Sequence, residues 1–235
     1  MLSARRRFYQ AATIVPAEGG WGILLDGKPL RSPARRPIVL PTEALAAAIA
    51  EEWQAQDEKI DPRSMPLMQL AATAIDRLVD DRAGLVEQTA GYGRGDLVCY
   101  RAAEPPALAR RQEALWQPLI AWLAERYDIA LSVTTGIVSV EQPPHASATF
   151  RRVLEACDLF ALTALAAMTG SAGSLVIALA LAEGRLSPDE AADAALLDEV
   201  FQGEKWGSDP EAERRRAAIR ADLAAAARFH RLSRL

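Results

Sequence analysis

The chain has 235 residues, half of them apolar and a quarter charged, with a formal net charge of −4. This is the composition of a globular protein that can bury a core in one or two domains, and it excludes a disordered chain. The acid excess also argues against a protein that grips phosphate backbones, which needs a basic patch, so no nucleic-acid partner is expected.

The first forty residues read as strands. Phe8 to Val15 and Trp21 to Leu25 are apolar runs separated by Gly19-Gly20. Asp26-Gly27 comes next, a strong hairpin signal because both positions of such a turn need positive φ. Leu30 to Pro33 returns, and Ile38-Val39-Leu40 forms a last short strand between prolines. So few strands need a helix packed against them. Thr42 is a good N-cap, and Leu45, Ile49 and Trp53 then recur on one helical face, with Trp53 expected as a scaffold anchor rather than a partner contact. Asp61-Pro62 and Met65-Pro66 break the pattern. The expected architecture is α+β. A small N-terminal α+β domain, an antiparallel sheet with its packed helix, spans 1–62, and a larger all-helical domain spans 63–235.

Helices are predicted along the rest of the chain. Leu67 to Asp81 puts Leu70, Ala74, Ile75 and Leu78 on one face, and Gly91, Gly93 and Gly95 interrupt the next segment. Ala107 to Tyr127 turns Leu108, Leu115, Trp116, Leu119 and Leu123 inward. Residues 128–142 are irregular, with a short extended piece around Ile137-Val138. Pro143-Pro144 opens another helix. Ser187-Pro188-Asp189-Glu190 is a helix start with Ser as N-cap and Pro in the first turn, and the helix is expected to run to Trp206 and stop at Gly207. Asp209-Pro210-Glu211 begins the last helix, in which Arg214-Arg215-Arg216 read as part of a solvated mixed-charge face.

Residues 159–182 carry no charged side chain and are long enough to be tested as a membrane span. Their centre, Thr169-Gly170-Ser171-Ala172-Gly173-Ser174, is small and polar, which fits the middle of a helical bundle better. No stable membrane insertion is expected. The basic start at Arg5-Arg6-Arg7 is followed by Phe8-Tyr9-Gln10 rather than by an apolar run, so it does not read as a signal peptide.

Common catalytic signatures are missing. The only histidines are His145 and His230, and no spacing of His, Cys and carboxylates fits a metal. Cys99 and Cys157 stand far apart in apolar context and read as buried thiols in a reducing cytoplasm. Gly91-Tyr92-Gly93-Arg94-Gly95 lacks the spacing and the strand-to-helix setting of a dinucleotide loop, and Gly170 to Ser174 lacks those of a nucleophile elbow. No cofactor and no metal are expected. The competing reading is a small-molecule enzyme on a helical scaffold that uses carboxylates such as Asp198 and Glu199.

The most unusual string runs from Leu196 to Gly207 and combines Asp198, Glu199, Glu204, Phe201 and Trp206 at the end of a helix. An acid near a helix C-terminus opposes the dipole. Pairing of Glu204 with Lys205 or with the arginines at 214–216 would account for it structurally, and contact with a partner would account for it functionally.

Several strings, in order, resemble the assembly chaperone of the ATP synthase alpha subunit found in mitochondria and alphaproteobacteria. They are Arg7-Phe8-Tyr9; Leu25 to Leu30 with Pro33; Leu40-Pro41-Thr42; Glu52-Trp53-Gln54-Ala55-Gln56; Met65-Pro66-Leu67; Ala74-Ile75-Asp76; Asp96 to Tyr100; Gln112 with Trp116 and Pro118-Leu119; Gly173-Ser174-Leu175; and Glu199-Val200-Phe201-Gln202 through Trp206-Gly207. The three glycines around Tyr92 depart from the family pattern. The resemblance implies a non-catalytic monomer that binds the unassembled alpha subunit, prevents its aggregation and leaves when the beta subunit docks. It implies a client-binding surface that includes Glu199, Gln202, Glu204 and Trp206, with Trp53 and Asp96 as scaffold. It also implies a bacterial cytoplasmic setting, since no long presequence stands before Arg7, and the mitochondrial matrix for eukaryotic relatives.

Overall fold

Two positive-φ residues, Asp26 and Gly27, turn the chain where the sequence places a hairpin. In the computed structural model, which describes residues 6–136, 138–207 and 209–235 apart from the side chains of 78–80, strand β2 (Gly20–Leu25) is the centre of a four-stranded antiparallel sheet. It pairs along its whole length with β1 (Ala12–Ala17), and with β3 (Lys28–Pro29) at one end and β4 (Val39–Leu40) at the other. Gly20 is required where β4 crosses, because a Cβ there would lie 2.1 Å from the Leu40 carbonyl oxygen. The segment 8–11 is not strand. The Asp26 carboxylate instead accepts from the Gln10 and Ala11 N–H groups at 3.0 and 2.9 Å.

Helix α1 (Glu43–Gln54) starts at Thr42, whose hydroxyl accepts from Leu45 N–H at 3.1 Å. It buries Leu45, Ala46, Ala48, Ile49 and Ala50 beside the buried Ile23, Leu25 and Leu40. Its last turn is a junction. Glu52 accepts from the Leu67 and Met68 N–H groups, both at 2.8 Å, and so caps the start of α2 (Pro66–Gly91). Gln54 bonds the Ala12 N–H and the Gln10 carbonyl, and Arg7 lies over the Tyr9 ring, 4.8 Å from its centroid. Near the middle of α2, Asp76 accepts from the Ser32 hydroxyl and the Ala34 N–H. Helix α2 breaks at Asp81, which has non-helical backbone angles. Its face buries Leu67, Met68, Ala71 and Ala74, Leu70 is half-buried, and the expected inward Leu78 lies outside the described side chains.

A 3-10 turn at Tyr92–Arg94 follows α2. Gly93 is needed there because a Cβ would stand 2.5 Å from the Phe150 ring, which accounts for one of the unexpected glycines. Strands β5 (Tyr100–Arg101) and β6 (Thr134–Thr135) form a separate parallel pair. The extended piece therefore sits earlier than expected, and Ile137 lies outside the described residues. Helix α3 (Pro106–Tyr127) buries Leu108, Gln112, Trp116, Leu119, Ile120 and Leu123. Leu115, expected inside, is 44 % exposed, because the core face of α3 is centred on Trp116 and Leu115 falls on its flank.

Helix α4 (Pro144–Glu155) precedes the apolar stretch, which forms two helices, α5 (Leu159–Ala172) and α6 (Leu175–Ala182). Gly173 at φ 66° and Ser174 in an extended conformation separate them. Every residue of α6 from Leu175 to Leu181 is buried. No helix among the described residues is long and apolar enough to cross a membrane. The helix expected from Ser187 to Trp206 is also two, α7 (Pro188–Ala195) and α8 (Leu197–Trp206), which meet at Leu196. The capping box at Ser187 and Glu190 is present. The last helix, α9 (Pro210–Leu232), starts on Asp209, which accepts from Glu211 and Ala212 N–H groups.

The chain forms two compact units. One comprises the residues through Arg82 with Asp158–Ala164 and Arg228–Leu235; the other comprises Ala83–Cys157 and Leu165–Ala227. A boundary at 62/63 concerns separate folding, and as such it is a proposal.

Within the second unit, Asp96 is fully buried. Its carboxylate accepts from Ser174 Oγ at 2.5 Å, from the Leu175 and Val176 N–H groups at 2.8 and 3.1 Å, and from Val98 N–H at 3.3 Å. Burial pushes its pKa up to about 6, against the lowering effect of the Ser174, Val176, Val98 and Leu175 bonds. Asp96→Ala is expected to lower stability by about 3 kcal/mol or more, measured by denaturant unfolding, because four buried donors lose their acceptor. Asp96→Asn separates the charge from the shape. A carboxyl whose folded pKa is raised contributes stability that is full below its ordinary value near 3.8 and is lost as pH rises through about 6. The stability advantage of the wild-type chain over Asp96→Asn is therefore expected to shrink between pH 4 and pH 7; a constant difference contradicts this.

Candidate functional site

Helix α8 is positioned by two buried polar side chains of α3. Trp116 donates its indole N–H to the Ala194 carbonyl at 2.9 Å, which fixes the end of α7. Gln112 accepts from Ala102 N–H at 2.7 Å and donates to Asp198 at 2.8 Å, which fixes the first turn of α8. Leu197 and Phe201 are buried, and the opposite side of α8 faces solvent. Gly207, at φ 86°, ends the helix and leaves Trp206 at its tip, 78 % exposed.

Glu199, Gln202 and Trp206 lie at i, i+3 and i+7 and share one face. Glu204 lies across the helix from them. It pairs with Arg111 of α3 at 2.8 Å, and Arg111 stands over the Phe201 ring, 5.2 Å from its centroid. Glu199 pairs with Arg215 of α9, and Asp193 of α7 with Arg220. The patch is thus neutralised by arginines from two helices rather than presenting bare acid. The 214–216 cluster, expected with Lys205 as a partner for Glu204, instead supplies Arg215 to Glu199. The partner of Glu204 is Arg111, which the sequence does not announce, because the pair joins residues 93 positions apart with no local pattern between them.

Trp53 lies in the other unit, half-buried. Its ring meets Tyr9 edge-on at 5.6 Å, and its carbonyl accepts from the Tyr9 hydroxyl at 2.6 Å. Asp96 is the buried cap of α6, and its hydrogen bonds go to Val98, Ser174, Leu175 and Val176. The groups that a catalytic reading would use are dispersed. Burial pushes the Cys99 thiol up to about 12, away from the reactive thiolate. His145 is exposed, and His230 is buried with its pKa lowered by that burial. Asp198 and Glu199 are already engaged by Gln112 and Arg215. Among the described residues no three His, Cys, Asp or Glu side chains are grouped so as to hold a metal ion.

The ATP12 chaperone protein family model matches residues 6–124. The chain belongs to the ATP12 chaperone family. It is similar to Atp12 of Paracoccus denitrificans, at 42 % identity and a TM-score of 0.93, with 97 % of this chain and 98 % of that one covered. A point mutant of the Paracoccus protein matches with the same identity and TM-score and with 97 % of both chains covered. Among curated relatives, the mitochondrial atp12 protein of Schizosaccharomyces pombe is 24 % identical over 215 residues, covering 86 % of this chain and 74 % of that protein. The α+β architecture, a small antiparallel sheet with a helical remainder, is thus that of an ATP12 fold.

The exposed parts of α8 are expected to contribute little to stability in this ATP12 protein. Both partners of Arg111–Glu204 are about half exposed, at 49 and 47 %. A double-mutant cycle on this pair is expected to give a coupling below about 1 kcal/mol. Trp206→Ala should leave the melting temperature within about 2 °C of wild type; a larger loss would mean that the indole is part of the packed structure.

Proposed function

We propose that this ATP12-family chaperone of ATP synthase assembly binds the unassembled alpha subunit of the catalytic head, prevents its aggregation without catalysing a reaction, and is released when the beta subunit docks. The observation that carries the reading is the exposed Trp206 on one face with Glu199 and Gln202, at the end of a helix held by buried contacts. A subunit waiting for its neighbour exposes a large apolar interface, which is an aggregation liability. An exposed indole answers it: burial of about 160 Å² of Trp206 is worth about 4 kcal/mol gross. The ion pairs around it are at the surface, where charges set orientation and encounter rate more than affinity. That balance suits a shield that must bind well yet give way to the true neighbour by mass action.

The reading makes the chain a monomer of the bacterial cytoplasm, with the mitochondrial matrix as the corresponding site for eukaryotic relatives; its 42 % identity to a Paracoccus protein supports the bacterial half. The test is suppression of alpha-subunit aggregation, followed by light scattering, for Glu199→Ala, Glu204→Lys and Trp206→Ala chains that keep the wild-type circular dichroism spectrum. Trp206→Ala is expected to raise the chaperone concentration needed for half-protection about tenfold or more, and the two charge variants about threefold. Undiminished protection by all three removes helix α8 from the site.

A further inference from the structure

Arg101, the second residue of β5, is only 7 % exposed. A guanidinium in such a place is ordinarily matched by a carboxylate. This one makes no ion pair among the described residues. Its acceptors are the Gln112 carbonyl, 3.1 Å from Nη1, and Gln117 Oε1, 3.5 Å from Nη2. Its Nε–H is buried and has no partner among the described residues. Burial lowers its pKa from the ordinary arginine value, and the charge of Glu113 on α3 opposes that only in part. An apolar side chain of similar length would fill the space at lower cost, so packing alone does not account for the arginine.

What Arg101 touches is the pair of α3 side chains that hold α7 and α8. Its guanidinium lies over the Trp116 ring, 5.1 Å from the centroid. The next residue, Ala102, donates its N–H to Gln112 Oε1 at 2.7 Å. Residues 101 and 102 thus grip Gln112 at both of its carbonyls, main-chain and side-chain. With Oε1 taken, the Gln112 amide turns its NH2 to Asp198. Trp116, one turn on, sends its indole N–H to the Ala194 carbonyl. Ala194 and Asp198 stand on either side of Leu196, where α7 and α8 meet without a glycine or proline. The bend at this joint is therefore fixed from outside, and Arg101 contacts both of the side chains that fix it. The arginine is itself anchored: it pairs with Thr135 of β6, and its carbonyl accepts from Gly136 N–H at 2.8 Å.

We propose that Arg101 is a positioning residue of the client surface: it aims Gln112 and Trp116, sets the angle at which α8 leaves α7, and so places Glu199, Gln202 and Trp206. The inference rests on the reading of α8 as client-binding. Arginine suits the task because its planar fork serves acceptors on Gln112 and Gln117 while it covers the Trp116 indole. Lysine, a point charge on a flexible stem, cannot do all three. Stability and binding then pull in opposite directions at this position. An apolar replacement relieves a buried charge that has no carboxylate partner, and the same replacement removes the grip on Gln112 and Trp116 and loosens the joint.

The experiment compares the full chain with Arg101→Met and Arg101→Lys in melting, amide hydrogen exchange and suppression of alpha-subunit aggregation. Arg101→Met is expected to melt no more than about 2 °C below wild type, or above it. Its amides in Leu197–Trp206 should exchange about tenfold faster, while those in Leu175–Leu181 keep the wild-type rate. The concentration needed for half-protection should rise about fivefold. Arg101→Lys, which keeps the charge without the fork, should restore neither exchange nor protection. In a chain that already carries Trp206→Ala, Arg101→Met should cost less protection than it costs the wild type. A larger drop in melting temperature makes Arg101 a residue of the core and overturns the inference. So does wild-type exchange in α8, wild-type protection, rescue by lysine, or an equal loss in both Trp206 backgrounds, and each of these leaves the function intact. Failure of the wild-type chain itself to protect the alpha subunit overturns the function and this inference with it.

Discussion

One buried carboxylate sets the frame in which the candidate surface exists. Asp96 caps the short turn that follows it and the start of α6 together, through Ser174, Leu175 and Val176. A fully buried helix start with unmatched N–H groups would be costly, and α6 is buried along nearly its whole length. Asp96 removes that cost and fixes the point within the small, polar centre at which the apolar stretch divides. Helix α3 packs against α6, and from α3 the side chains of Trp116 and Gln112 reach out to hold α7 and α8. The order is thus from buried cap, to central helix, to exposed face.

How much of this was legible depends on how local the cause is. The Asp26-Gly27 turn, the Thr42 cap and the Ser187–Glu190 box are each decided within four residues, and all three stand where the sequence places them. The division of 159–182 at Gly173-Ser174 is a different case. The small residues were visible, but the carboxylate that makes Ser174 a cap comes from 78 positions earlier. The break at Leu196 carries no glycine or proline to announce it. Leu115 misled because an apolar residue next to Trp116 looks like core, while the helix places neighbours about 100° apart.

The strings that carry the family resemblance turn out largely to hold the fold. In Glu52-Trp53-Gln54-Ala55-Gln56, the first residue caps α2, the second packs on Tyr9, the third holds the edge of β1 and the last bonds Ser64 and Asp61. Gln112 and Trp116 act in the same way on α7 and α8. Such residues identify an ATP12 fold reliably because their partners are spread along the chain. They say less about the surface, where Trp206 is exposed and the ion pairs of Glu199 and Glu204 lie at the rim of the packed structure. The face that meets a client is therefore the part least readable from sequence, and the part for which geometry adds most.

The central claim is that the molecule covers an interface that another subunit will later occupy. The most direct measurement is a competition. The chain and the isolated alpha subunit are mixed, and their complex is followed by fluorescence anisotropy while the beta subunit is added. The account predicts a complex with alpha that beta dissolves in proportion to its concentration, leaving the chaperone free. No complex with alpha, or a complex that beta joins without displacing the chaperone, would contradict it.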